Sequence, residues 1–149
     1  MNGPFDTLIR VRYSETDQMG FVYHSNYFVY FEIGRTEYLR NAGVEYKRME
    51  TEDDCMIVVG SASIRHIRPA RYDDVLRIRT RTTEANRRTT RLSYEIFNDA
   101  SGELLATGET YHVFCDRLGR RKSLPEKYRE FFKADEPQGE GAAAHRKSK

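Results

Sequence analysis

The chain has 149 residues, with 25 basic and 23 acidic side chains, a net charge of +2 and a hydrophobic fraction of 38%. That length fits one domain, and so balanced a charge argues against a protein that binds nucleic acid by electrostatics. Two cysteines, Cys55 and Cys115, far apart and without a CxxC partner, point to reduced thiols packed in strands rather than to a disulfide scaffold.

His24, His66, His112 and His145 form no ligand-like pair, so no metal is expected. Residues 1–6 carry no basic stretch leading into an apolar run, and no segment approaches the ~20 apolar residues of a membrane helix. The expectation is a cytoplasmic protein that neither spans a membrane nor is exported.

Residues 7–13 (TLIRVRY) alternate and predict a strand. A short loop over 14–20 ends in Gly20. A helix follows over 25–42, with Ser25 or Asn26 as its N-cap and Gly43 ending it. Phe28, Phe31, Tyr38, Leu39 and Ala42 fall near one face; Tyr27, Tyr30 and Ile33 widen it. So broad an apolar surface predicts a largely buried helix. Glu32 with Arg35, and Glu37 with Arg40, stand at bridging distance along it.

Residues 44–50 predict a second, short helix, and the acidic run 50–54 a solvated turn. The rest is strand-like. Strands are predicted over 56–68, closed by Pro69, over 75–83, over 90–98 and over 104–116. The turn between the last two is Asn98-Asp-Ala-Ser-Gly102. In 75–83, Leu76, Ile78 and Thr80 alternate with Arg77, Arg79 and Arg81, a face read as partly solvated. Pro125 opens a possible terminal helix over 125–133, with Tyr128, Phe131 and Phe132 as anchors. Residues 136–149 are rich in Gly, Ala and charge and lack periodicity. This order predicts one α+β domain over 1–133 and an unstructured tail over 134–149. An antiparallel sheet of about five strands, joined by hairpin-type links, would wrap around one long central helix.

The chemistry concentrates between residues 13 and 27. Asp17 lies on the loop, three residues before Gly20, and the loop runs into the helix start. A carboxylate there has a base or nucleophile's chemistry, and the helix start offers free backbone N–H groups and a positive dipole end. The plainer reading of Asp17 alone is a turn residue that caps local N–H groups. Gly20 suits a backbone angle or a close approach that a side chain would block. There is no Gly-x-Ser-x-Gly elbow and no phosphate-binding Gly-rich loop. His24 and Ser25 are adjacent, which does not make a nucleophile and base pair.

The motif Tyr13-x-x-Thr16-Asp17-x-x-Gly20-x-Val22-x-His24-x-x-Tyr27, followed by Glu32-x-x-Arg35, resembles that of the hot-dog-fold acyl-CoA thioesterases. The 4-hydroxybenzoyl-CoA thioesterase group, with its broader acyl-CoA members carrying Val-Tyr-His after the glycine, is the most similar branch. The resemblance covers residues 7–133. It implies hydrolysis of acyl-CoA to a carboxylate and coenzyme A, with no metal or organic cofactor. In the family the residue matching Asp17 attacks the thioester carbonyl or activates water. The N–H of the residue matching His24 donates to the carbonyl oxygen; whether the His24 side chain also acts stays open.

The same resemblance puts Gly20, Val22, Tyr23, Tyr27, Arg87 and Arg88 among the substrate-binding positions. Arg87 and Arg88 match a basic turn that holds the coenzyme A phosphates at a subunit interface, though a solvated turn explains them too. A homo-oligomer, dimer or tetramer, follows from the unpaired sheet edges and the family's habit. Glu32, acidic on the helix, is a second carboxylate to consider beside its pairing with Arg35. Hydroxybenzoyl specificity is not implied, because His24 stands where those members carry another residue. Acyl-chain identity and an acyl carrier protein as thiol carrier remain open. Two other readings stand beside this one. A hydratase or dehydratase on the same fold is disfavoured by the Asp-x-x-Gly spacing. A non-catalytic acyl-CoA binder or scaffold is disfavoured by the intact Asp17.

Overall fold

A computed structural model of the chain describes residues 3–136. The long helix forms where the apolar spacing predicts it, as α1 (Asn26–Asn41), and Gly43, at φ +95°, turns the chain out of it. Asn26 is its first residue, and Ser25 precedes it without a side-chain cap bond. Tyr27, Tyr30, Phe31, Gly34, Tyr38 and Leu39 form its buried face. Phe28 does not join them: it stays 39% exposed, with only its ring edge near Phe31.

Among the described residues, five strands make one antiparallel sheet: β1 (Phe5–Arg10), β2 (Met56–His66), β3 (Val75–Ala85), β4 (Thr89–Asn98) and β5 (Leu104–Cys115). Their spatial order is β1-β3-β4-β5-β2. This corrects the expectation of hairpin links throughout. β2 and β3 follow one another in the chain yet lie at different places in the sheet, β2 pairing with β5 at the far edge. β2 is kinked at Gly60, where its register with β5 shifts.

The sheet packs its inner face on α1. Leu76, Ile78, Leu92, Tyr94 and Ile96 are buried there, and Phe31 stacks on Tyr94 with ring centroids 4.4 Å apart. Two glycines allow the close approach. A Cβ on Gly34 would lie 2.7 Å from Ile78, and one on Gly108 would lie 2.4 Å from the Phe31 ring. A second cluster, with Leu39, Val44, Met49, Ile57, Phe114 and Phe132, closes the other end of the helix.

Several local expectations change. The short helix is α2 (Tyr46–Asp53), so the acidic run is mostly helical. Its end is tied down rather than solvated: Asp54 accepts from the Arg117 backbone N–H at 2.9 Å and guanidinium at 3.1 Å, and Asp53 bridges Lys127 at 2.5 Å. The expected terminal helix shrinks to one 3-10 turn over Glu126–Tyr128, with Phe132 buried beyond it. Past residue 133 the chain is still engaged, because Asp135 accepts from the Tyr38 hydroxyl at 2.5 Å and the Thr82 N–H at 2.8 Å. The remainder of the expected tail lies outside the described residues.

On the outer sheet face, Arg79 makes two hydrogen bonds to Asp6, at 2.9 and 3.0 Å. Arg77 sits over the Phe97 ring, near Asp99, and Arg81 faces Glu95 at 3.7 Å. These three arginines are spent on neighbours. Both cysteines are free and buried, and burial pushes the Cys55 thiol up to about 11.

Candidate active site

β1 ends at Arg10, and residues 13–15 (Tyr13–Glu15) make a 3-10 turn that lifts the chain over the start of α1. The next segment folds back on itself. The Asp17 N–H donates to Phe21 O at 2.8 Å and the Gly20 N–H to Asp17 O at 3.0 Å. Gly20 has φ +80°, and nothing lies within 4 Å of where its Cβ would be, so the backbone angle is what demands glycine. The returning limb is pinned below by Val22, whose N–H donates to Ala70 O at 2.8 Å.

Asp17 is exposed at this tip. Its Oδ1 accepts the Met19 N–H at 2.8 Å and the Phe21 N–H at 3.2 Å. The turn-capping role anticipated for an isolated Asp is therefore present, but it uses one oxygen. Oδ2 has no hydrogen-bond partner among the described residues. The two bonds to Oδ1 hold the carboxylate in place and leave Oδ2 open.

The limb then enters α1 through Tyr23, His24 and Ser25. The Tyr23 N–H donates to Glu15 O at 2.9 Å, and the Asn26, Tyr27 and Phe28 N–H groups bond to Tyr23, His24 and Ser25 carbonyls. The N–H groups of His24 and Ser25 meet no acceptor among the described residues. They stand at the positive end of a 16-residue helix, where an anionic oxygen is favoured. The His24 ring is exposed and tilts against Tyr23, centroids 4.4 Å apart.

The structure sorts the expected binding residues into two groups. Asp17, Tyr23 and His24 are exposed around the loop and helix start. Val22 and Tyr27, expected to touch substrate, are instead buried at 6% and 2% exposure and support the site from below. Tyr27 packs on Tyr30 and against the His66 ring, centroids 4.7 Å apart, at the end of β2. His66 escaped the sequence reading because only the fold brings the end of β2 to the start of α1. Glu15 escaped it as well: an acid before Thr-Asp reads as solvated, yet it is buried beneath the loop. Glu32 and Arg35 do not bridge; Arg35 donates to the Tyr94 hydroxyl at 3.1 Å, and Glu32 stays exposed.

Arg87 and Arg88 lie elsewhere, in the β3–β4 turn. Their carbonyls accept from the Leu124 N–H at 2.8 Å and the Phe114 N–H at 3.1 Å, while both side chains are exposed and make no ion pair among the described residues. That turn is by the first residues of β2, since Phe114 opposes Ile57. Asp17 is by the last. A strand of 11 residues separates them by about 35 Å. One chain cannot bring both to the same small molecule's reacting centre.

An open carboxylate oxygen on a braced loop, and acceptor-free amides at the start of the helix that this loop enters, are the kinds of group that hydrolytic acyl transfer calls for. The chain belongs to the thioesterase-like superfamily, whose family model matches residues 11–132. YneP of Bacillus subtilis (strain 168) is similar over 131 residues at 35% identity, covering 85% of this chain and 94% of YneP. The acyl-CoA thioesterase YbgC of Haemophilus influenzae is 30% identical over 124 residues, covering 83% and 89%. Among solved structures, a hypothetical protein from Aquifex aeolicus superposes with a TM-score of 0.80 at 34% identity, covering 87% of this chain and 99% of that one. The hot-dog architecture implied by the motif is the architecture found.

Proposed function

We propose that this chain hydrolyses acyl-CoA thioesters, with Asp17 as nucleophile or general base and the His24 and Ser25 amides stabilising the oxyanion. The observation that supports this is an open Oδ2 on Asp17, in the loop that leads into α1, together with two amides at the start of that helix that meet no acceptor among the described residues. YbgC of Haemophilus influenzae, an acyl-CoA thioesterase by name, supports the thiol carrier.

Two routes share this geometry. In one, Oδ2 attacks the carbonyl carbon, the C–S bond breaks, coenzyme A leaves as thiolate and takes a proton from solvent, and water cleaves the mixed anhydride to the acid and free Asp17. In the other, Oδ2 takes a proton from a water that attacks directly. In both, the carbonyl oxygen becomes negative, and the amides with the helix dipole favour that charge; losing one such donor typically costs about 3 kcal/mol of the barrier.

The site draws its phosphate-binding residues from a second copy. β2 is an edge strand, with Val58 and Val59 42% and 48% exposed, and an unpaired edge invites another strand. An antiparallel partner on β2 sets the Met56 end of one chain beside the His66 end of the other. Arg87 and Arg88 of one chain then face the Asp17 side of its neighbour, which answers the separation within a single chain. A homodimer is thus the smallest complete unit.

The test is release of free thiol from a panel of acyl-CoA substrates of increasing chain length. Asp17→Asn keeps the turn, since its side-chain oxygen still accepts from Met19 and Phe21, and is expected to lose roughly a thousandfold in kcat with the fold retained. Near-full turnover by Asp17→Asn would sink the assignment. His24→Ala, which keeps the backbone donor, retains most of the rate if only the amide acts.

A further inference from the structure

Glu15 is the only acidic side chain buried among the described residues, 8% exposed beneath the Asp17 loop. Its Oε1 accepts two hydrogen bonds, from the Arg12 N–H at 2.8 Å and from the Tyr30 hydroxyl at 3.1 Å. Tyr30, fully buried on α1, stays protonated, because burial first and the neighbouring Glu15 carboxylate second raise its pKa. Oε2 faces only the exposed Arg12 guanidinium, at 3.4 Å.

The backbone of the same residue holds the other side of the loop. Glu15 O accepts the Tyr23 N–H at 2.9 Å and the Asn26 side-chain amide at 2.9 Å. One residue therefore joins the segment after β1, the second turn of α1 and the returning limb at the helix start. Asp17 is two residues along from this knot, and His24 is one residue beyond Tyr23.

We propose that Glu15 is a positioning residue: by accepting hydrogen bonds beneath the loop it sets the Asp17 carboxylate against the His24 and Ser25 amides. The work is done by the acceptor atom Oε1 and not by the negative charge, because the Arg12 N–H and the buried Tyr30 hydroxyl both meet that one oxygen, while Oε2 meets only the exposed Arg12 guanidinium. Misplacing a reacting group by about 1 Å can cost a hundredfold in rate, so the effect falls on kcat. The proposal rests on the thioesterase reading above.

The experiment compares wild type, Glu15→Ala and Glu15→Gln, by thiol release and by hydrogen exchange without substrate. Glu15→Ala is expected to lower kcat roughly tenfold to a hundredfold, with KM for the acyl-CoA changed less than about threefold. Glu15→Gln keeps an oxygen at Oε1 and is expected to restore kcat to within about threefold. Exchange in Glu15→Ala rises over residues 16–25 while β3, β4 and β5 keep their protection.

A Gln variant as slow as Ala overturns the proposal, as does Glu15→Ala with normal kcat or with loosening spread evenly over the sheet. Should Glu15→Ala not fold, Tyr30→Phe removes one of the two donors. It is expected to slow kcat severalfold and to loosen the same segment; an unchanged kcat and unchanged exchange there overturn the idea. Exchange is read without substrate, so a wild type that releases no thiol refutes the function and leaves the Glu15 result to stand or fall separately.

Discussion

Lowering the pH from 8 to 5 is expected to remove about 2 kcal/mol of folding stability through one side chain, His112. Its ring, on β5, is fully buried, with Nε2 2.7 Å from Thr110 Oγ1 and Nδ1 without a partner among the described residues. Thr110 is in turn 2.6 Å from the Tyr94 hydroxyl, which accepts from Arg35 at 3.1 Å. A guanidinium only donates, so protons can run from Arg35 through Tyr94 and Thr110 toward Nε2, and a charged imidazole would reverse that chain. Burial first and the Arg35 charge second push the His112 pKa down from 6.5 to about 3. The unfolded chain therefore takes up a proton below pH 6.5 and the folded chain does not until about pH 3. Stability is complete above the unfolded value and falls with acid, by at most about 1.4 kcal/mol per pH unit, reaching about 2 kcal/mol at pH 5. That is a large share of the roughly 5–15 kcal/mol typical of a domain. Urea unfolding of wild type and His112→Gln, at pH 8 and pH 5 and one protein concentration, isolates the effect, because carboxylate contributions are common to both. The variant is expected to lose about 2 kcal/mol less across this range. Equal losses in the two proteins, or a His112 NMR titration near its ordinary value, would refute the reasoning.

Gly108→Ala is expected to destabilise by about 1–3 kcal/mol, visible as a Tm lowered by several degrees, because the new methyl lands on the Phe31 ring and on Ser63 O, 2.7 Å away. An unchanged Tm would mean that the ring and β2 can give way freely. Replacing Arg87 and Arg88 together by Ala is expected to raise KM for acyl-CoA roughly tenfold or more at low salt, with kcat nearly kept. The wild-type KM is expected to rise with salt more steeply than the variant's. Unchanged KM and salt dependence would remove both residues from the phosphate site.

Much of the fold is legible along the chain. Leu76, Ile78 and Thr80 alternate with Arg77, Arg79 and Arg81 as a half-buried strand requires, and β3 forms there. The helix between Asn26 and Asn41 follows from its apolar spacing and from Gly43. The candidate carboxylate is equally legible, since Asp17 before Gly20 and a helix start is a pattern local in sequence. Periodicity reports which face of an element is buried, however, and not which neighbour covers it. That is why the Glu32–Arg35 pair fails: Tyr94, 59 residues from Arg35 in sequence, offers a hydroxyl beneath the helix. It is also why Phe28 was expected in the core, and why Asp53 and Asp54 were expected in solvent when Lys127 and Arg117 await them.

Local sequence encodes the long helix, the strands, the loop carboxylate and the helix start, because each depends on residues within one or two turns of one another. Tertiary pairing alone settles that β2 forms the far edge, that Glu15 is buried under Asp17, and that Arg87 and Arg88 lie a strand's length from Asp17. Those facts come from pairings between residues tens of positions apart, where the gain is burial of a shared face and the choice of partner leaves no local mark.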